Sequence, residues 1–300
     1  MEKLNFNVSD DIFLSHEWLS LLCNNYELIE VQHKDSSLEI ALNKRSKLGI
    51  PFGSCAPFTP YNSIVRHRHN EMTESVKFNT EIQLFSKLLS LKLKFKSIQL
   101  KFSSSTLNFP LVGDKRIISK IAYTEIISSN QPIEKIWNSF SSELRNNILF
   151  AQNNSIIQEI KDPSIATSFL MKNIYYQKEG LTETILSNIL NKFCPIGQIK
   201  IFGAFNKTEL ISCSAFIFSS NTLYYWLNCN KKDNNIRGSH LALIWKGIQT
   251  AITNKCNFNF EGSSKMELVK VFKSFGSQTL IYPNCYVHNN WLIGFLSKFI

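Results

Sequence analysis

With 300 residues, 44% of them hydrophobic and 12% aromatic, the chain is long enough for two domains of roughly 130–170 residues and apolar enough to bury a core. No run approaches the roughly 18 uninterrupted apolar residues of a membrane-crossing helix, and Met1 to Asp11 is polar and acidic rather than signal-like, so the expectation is a soluble, cytoplasmic chain without a transmembrane segment. The formal charge of +10 is uneven, with 16 basic and 13 acidic side chains in residues 1–130 against 17 and 10 in residues 131–300; the second half favours an anionic partner, and a phosphate-bearing ligand, a nucleic acid and a merely solvated basic surface all stay open.

In chain order, Glu17 to Asn24 reads as a short helix, and the strand-like runs Glu27–His33 and Ser37–Asn43 flank the polar Lys34-Asp35-Ser36 as a hairpin. From Gly49 to Asn62 repeated Pro and Gly punctuate the backbone, which predicts a long loop of functional or mobile character. Val76, Phe78, Ile82, Phe85, Leu88 and Leu89 recur at helical spacing and predict a helix over Glu71–Leu91. Phe95–Phe102 alternates as a strand, and a strand at Lys120–Ser128 closes the first unit. The polar cluster Ser128 to Pro132 marks the boundary, giving an amino-terminal domain of residues 1–130 and a carboxy-terminal domain of residues 131–300.

Beyond it, Ile133, Ile136, Trp137, Phe140, Leu144, Ile148 and Ala151 follow steps of three and four, which predicts one long amphipathic helix with Lys135 and Arg145 on its polar faces. Helices at Ser164–Lys178 and Thr182–Phe193 precede strands at Gln198–Phe205, Glu209–Phe218 and Thr222–Cys229, an antiparallel meander with tight turns at Asn206-Lys207-Thr208 and Ser220-Asn221. After the polar run Asn230–Asn235 come a helix marked by Leu241, Ile244, Trp245, Ile248 and Ile252, a strand at Asn257–Phe260, a helix from about Lys265 to Phe275, and a strand near Thr279–Val287. Seven cysteines without a Cys-x-x-Cys pair read as buried free thiols rather than disulfides or zinc ligands. Arg66-His67-Arg68-His69 lacks further metal ligands and reads as a solvated basic loop.

The segment Phe258-Asn259-Phe260-Glu261-Gly262-Ser263, followed by Val271-Phe272-Lys273-Ser274-Phe275-Gly276, resembles two elements of the Fem-like branch of the GNAT acyltransferase superfamily. The Trp245 helix, the run Glu143-Leu144-Arg145-Asn146-Asn147 and the similar order of elements in the two halves are also in keeping with that branch. The resemblance implies an α/β (α+β) fold of two tandem GNAT-like domains, each a mixed, mainly antiparallel sheet flanked by helices, the first degenerate and on the acceptor side. It implies transfer of an acyl or aminoacyl group from acyl-CoA or aminoacyl-tRNA to an amine-bearing small molecule or cell-envelope precursor, by direct attack in a ternary complex, with no metal and no tightly bound cofactor.

In that fold a helix begins where two strands diverge, and its unsatisfied N–H groups and dipole suit a phosphate. Here that start is Arg237-Gly238-Ser239-His240, which keeps one glycine of the family's loop; the same residues also read as a plain helix cap with Ser239 as N-cap. Trp226 lies on the strand beside the expected donor, and alternation sends it and Tyr224 to one face and Tyr225 to the other. Glu261, ending a strand before a glycine, suits a proton acceptor if burial raises its pKa, or a helix cap or ion-pair partner. Ser263 is placed at the substrate, though its residue type fits an N-cap better than a nucleophile. By resemblance Lys273 stands near the oxygen that gains charge during transfer; a lysine between two buried aromatics is the plainer account. Tyr61, at the end of the long loop, is by resemblance the acceptor contact in the first domain; a rim tyrosine without a role is the plainer account. A catalytically inactive GNAT-fold binding protein is the alternative function, and a nucleic-acid module ranks below both because basic and aromatic residues do not interleave.

Overall fold

The computed structural model describes residues 11–47, 49–67, 72–91, 94–103, 116–173, 180–261 and 266–289. The chain divides into two compact units, Phe13–Tyr123 with Ile281–Ile300, and Thr124–Leu280 with Met1–Ile12. The expected division at 130/131 kept each half contiguous, whereas here the residues from Ile281 onward group with the amino-terminal unit.

The amino-terminal unit begins with α1 (His16–Leu22), capped by Ser15, whose Oγ accepts from the Trp18 N–H. A hairpin follows, β1 (Tyr26–His33) against β2 (Ser36–Lys47), in register from Tyr26↔Asn43 to His33↔Ser36. The far end of β2 pairs with β3 (Ile50–Ser54) and its beginning with β4 (Ser63–His67). The predicted loop from Gly49 to Asn62 therefore contains a strand. Gly53 is required there, since a Cβ would stand 2.9 Å from the Leu42 side chain. After α2 (Glu74–Ser90), β5 (Ser97–Lys101) lies parallel to β3 and antiparallel to the Asn284–His288 portion of the last strand, β12 (Gln278–His288).

Leu84, Phe85 and Leu88 of α2 pack on Leu38, Ile40, Leu42, Ile98 and Leu100. Val76 and Phe78, counted toward the apolar stripe, are exposed, and the face that turns inward carries Thr80 and Glu81 instead. A second cluster joins Phe13, Trp18 and Tyr61 edge to face, with the Trp18 indole N–H donating to Thr59 Oγ1 at 2.9 Å.

The other unit opens on the end of β6 (Ile117–Ile127). The single long helix expected next is two: α3 (Ile133–Ser139) and α4 (Ser142–Asn154). Phe140 is extended between them, Ser141 Oγ caps α4 by accepting from the Leu144 N–H, and Arg145 turns back to donate to the carbonyls of Asn138 and Phe140. A short strand that the sequence did not reveal, β7 (Ile156–Glu159), precedes α5 (Pro163–Asn173) and α6 (Glu183–Phe193).

The meander is as expected: β8 (Ile199–Asn206), β9 (Glu209–Ser219) and β10 (Thr222–Asn230) pair antiparallel, and the Ser220-Asn221 turn has both residues at positive φ. Then come α7 (Ser239–Thr253), β11 (Asn257–Asn259) and α8 (Met266–Ser274). The strand order β7-β8-β9-β10-β11-β6 is antiparallel except where β10 meets β11. Each unit is thus a mixed, mainly antiparallel sheet flanked by helices.

The core of this unit is aromatic. Trp137, Trp245, Phe140 and Phe275 lie in successive ring contacts at 5.1 Å, and Phe260 stacks on Phe272 at 4.7 Å. All seven cysteines are free, five of them buried, with Cys55 and Cys194 half-buried.

Candidate functional site

Parallel strands β10 and β11 are in register at only three pairs, Thr222↔Asn257, Leu223↔Phe258 and Tyr224↔Asn259. β11 ends there, while β10 runs six residues further to Asn230. Just past the last shared pair, β10 bulges: Tyr225 opposes Phe216 and Leu227 opposes Ala215 on β9, leaving Trp226 as the extra residue. A bulge bends its strand and disrupts the ladder locally, so the two strands part after Tyr224. Trp226 is 5% exposed, and Tyr224 and Tyr225 are buried too, Tyr225 in the cluster under α7.

The chain re-enters the fold at α7, whose N-cap is Gly238 and not the expected Ser239. Gly238 sits at φ 76°, and a Cβ on it would stand 2.4 Å from the Asn147 carbonyl oxygen, so only glycine fits between α7 and α4. Without a side chain it offers no capping bond to the N–H groups of the first turn. Ser239 is buried, its Oγ accepting from Asn234 Nδ2 at 2.6 Å. His240 is half-buried, and burial holds its imidazole below the usual range. Arg237 is exposed, its guanidinium 4.7 Å from the centre of the Phe150 ring.

Glu261 follows β11 at φ 58°, a left-handed conformation uncommon for a residue with a side chain. Its N–H donates to Asn259 Oδ1 at 2.8 Å, and the same oxygen accepts from Thr124 Oγ1 at 2.6 Å. Its side chain is half-buried, in a fold that buries Phe258, Asn259 and Phe260 before it. Ser263 lies outside the described residues.

Lys273, on the last turn of α8, is engaged at all three of its donor positions: Thr279 Oγ1 at 2.7 Å, the Ser277 carbonyl at 3.3 Å and Glu125 Oε2 at 2.9 Å. Glu125 is the residue that sequence reasoning missed. Its side chain is only 3% exposed, against 44% for Lys273, and it also accepts from Ser277 Oγ at 2.6 Å and Thr279 Oγ1 at 2.7 Å. Burial pushes the carboxyl upward, but hydrogen bonds from Ser277, Thr279 and Lys273, with the lysine's charge, outweigh it and hold the group below the ordinary carboxylate range. The backbone joins in, the Glu125 carbonyl accepting from the Phe260 N–H at 3.0 Å. A lone glutamate in an alternating strand carries no sequence signal; the signal lay in Lys273, Ser277 and Thr279, three donors spaced around one turn.

In the amino-terminal unit Tyr61 is 2% exposed, its ring packed 5.3 Å from Phe13, a core position rather than the expected rim. Arg66 and His67 are strand residues of β4 with partners, not a solvated loop: Arg66 Nε donates to both Glu39 oxygens, and His67 bridges Ser36 Oγ (2.8 Å) and Glu81 Oε1 (3.3 Å). Arg68 and His69 lie outside the described residues. Among the described residues, no helix is long and apolar enough to cross a membrane.

Comparison with solved structures shows a fold like that of FemX over nearly the whole chain. The chain matches a crystal structure of FemX with a TM-score of 0.66 at 11% identity, covering 95% of this chain and 94% of that one. It also matches a conserved protein of unknown function from Bacteroides thetaiotaomicron (TM-score 0.54, 15% identity, 93% of each chain). A third match is the C-terminal domain of a protein described as a lysylphosphatidylglycerol synthetase from Agrobacterium fabrum (TM-score 0.51, 6% identity, 94% of each chain). No protein-family model and no curated protein sequence matches.

Proposed function

We propose that this chain transfers an acyl or aminoacyl group from a phosphate-bearing donor, an acyl-CoA or an aminoacyl-tRNA, to an amine. The observation that supports it most is the parting of β10 from β11 at Trp226 together with the glycine-capped start of α7. Backbone N–H groups of Ser239 and His240 and the guanidinium of Arg237 are suited to the donor's phosphates, because a helix start combines free donors with a favourable dipole. The donor's carbonyl then lies along the length of β10 that β11 leaves unpaired.

The acceptor nitrogen attacks the carbonyl carbon and the bond to the thiol or ribose oxygen breaks. The amine's proton passes to Glu261, directly or through water, and the leaving group takes up a proton. Holding both reactants in line supplies much of the rate without a covalent enzyme intermediate. Lys273 enters as a positioning residue, tying α8 to Glu125. The acceptor belongs to the class of amine-bearing small molecules or cell-envelope precursors, and the setting is the cytoplasm.

The experiment is titration calorimetry with acetyl-CoA, longer acyl-CoAs and a charged tRNA, followed by mass detection of an amide product with candidate amines. Donor binding with amide formation is the expected result. A second reading, a binding protein that keeps the fold without catalysis, is favoured by the saturation of Lys273 by Glu125, Ser277 and Thr279; binding without product would select it, and no binding of any donor would remove both.

A further inference from the structure

We propose that the amino-terminal unit carries an anion site of its own, a groove at the open ends of β1, β2 and β3 that takes a ligand pairing a phosphate or carboxylate with a flat apolar group. The groove encloses about 330 Å³, within the range of small-molecule sites and roughly ten times the volume of one water. Three cations line it, Lys44, Arg45 and Lys94, against one carboxylate, Glu27.

Glu27 is already paired with Lys44 at 3.0 Å, so its charge is answered within the wall. Arg45 and Lys94 are both exposed, and neither side chain has an ion-pair or hydrogen-bond partner among the described residues. Two uncompensated cations in one concavity raise the local potential for anions, and the guanidinium presents a fork that matches a phosphate or carboxylate edge. The apolar part of the lining is Pro51 and the otherwise buried ring of Phe95.

The positions of these groups are fixed by the backbone. The Lys44 N–H donates to the Asn25 carbonyl at 2.9 Å, closing the end of the hairpin, and the Lys96 N–H donates to the Pro51 carbonyl at 2.9 Å, which holds the segment carrying Lys94 and Phe95 beside β3. Backbone hydrogen bonds at the strand ends thus hold the site. It does not depend on the transferase reading, and its test needs no acyl donor.

The test is calorimetry on the full chain with phenyl phosphate, benzoate and neutral benzyl alcohol at 50 and 200 mM salt, on wild type, the Arg45→Gln/Lys94→Gln double variant, and Lys135→Gln as a positive charge removed from α3, which does not line the groove. Phenyl phosphate or benzoate should bind, more weakly at high salt, and the tighter of the two identifies the acid group. The double variant should weaken that binding at least about tenfold, the effect of losing one charge-assisted hydrogen bond, while Lys135→Gln binds as wild type. If the double variant melts early, Lys94→Gln alone is measured, with about threefold or greater weakening expected. Benzyl alcohol binding as well as the anions, absence of any binding, wild-type affinity in the groove variants, or an equal loss in Lys135→Gln would each overturn the proposal.

Discussion

Replacing Glu125 by Gln keeps the shape of the side chain and removes its charge, leaving Ser277, Thr279 and Lys273 around a neutral amide. The carboxylate accepts two short hydroxyl hydrogen bonds, at 2.6 and 2.7 Å. Hydrogen bonds to a charged group contribute roughly 1.5–3 kcal/mol against about 0.5–1.5 for neutral pairs, so neutralising both loses on the order of 2 kcal/mol. The ion pair adds less than about 1 kcal/mol, since the ammonium of Lys273 is 44% exposed and screened. For a unit of this size about 2 kcal/mol lowers the melting temperature by roughly 4–8 °C at pH 7. The pH dependence has a definite sign: a carboxyl depressed in the folded state stabilises fully above its unfolded pKa near 4.5 and loses that contribution as pH falls through the lower folded value. The gap between wild type and Glu125→Gln, measured by thermal unfolding from pH 8 to pH 3, should be widest above pH 5 and shrink in acid. Lys273→Met should cost less than about 1 kcal/mol. A Glu125→Gln protein melting within 1 °C of wild type, or a gap that persists unchanged at low pH, would refute the idea that this buried carboxylate organises the turn between α8 and β12.

Gly238→Ala should destabilise by roughly 1–3 kcal/mol in urea unfolding, because it combines positive φ with a backbone clash against Asn147; an unchanged midpoint would mean that α4 yields freely. Arg237→Ala should weaken donor binding about tenfold by calorimetry while costing less than about 1 kcal/mol of stability through the Phe150 ring, and equal donor affinity would move the phosphates elsewhere. Burial pushes the Glu81 carboxyl up to about 7. An acid whose folded pKa lies above its unfolded one penalises the folded state at high pH, so Glu81→Gln should be more stable than wild type at pH 8, by on the order of 1–3 kcal/mol. That advantage should fade as pH falls through 7, and melting curves showing no such crossover count against it.

Much of the fold was legible because the strongest signals are local. The β8–β10 meander announces itself by alternation and by Ser220-Asn221, a pair that tolerates the positive φ its turn demands. Helix versus break was not legible at Phe140, since α3 and α4 lean on the same aromatic cluster and their apolar spacing runs on unbroken through the gap. What ends α3 is the Ser141 cap and the Arg145 guanidinium reaching back, both side-chain events invisible to periodicity. The Gly49–Asn62 stretch misled in the opposite way. Gly53 is there because a strand passes too close to Leu42 for a side chain, not because the chain turns.

The residues of the Val271–Gly276 motif have structural roles of their own. Phe272, Phe275 and Gly276 each have a packing reason: the two rings close the aromatic core, and a Cβ at Gly276 would stand 2.2 Å from Ser139 Oγ. Lys273 travels inside that pattern, and its three donors are spent on Glu125, Ser277 and Thr279. Conversely, the features that best suit a ligand, the strand parting at Trp226 and the glycine-capped start of α7, are made of backbone. Backbone donors have no residue signature beyond the glycine that lets them approach. A sequence therefore advertises the scaffold of such a site more loudly than the groups that would hold the substrate, and Gly238 advertises both at once because the residue that packs against α4 is also the one that leaves the helix start open.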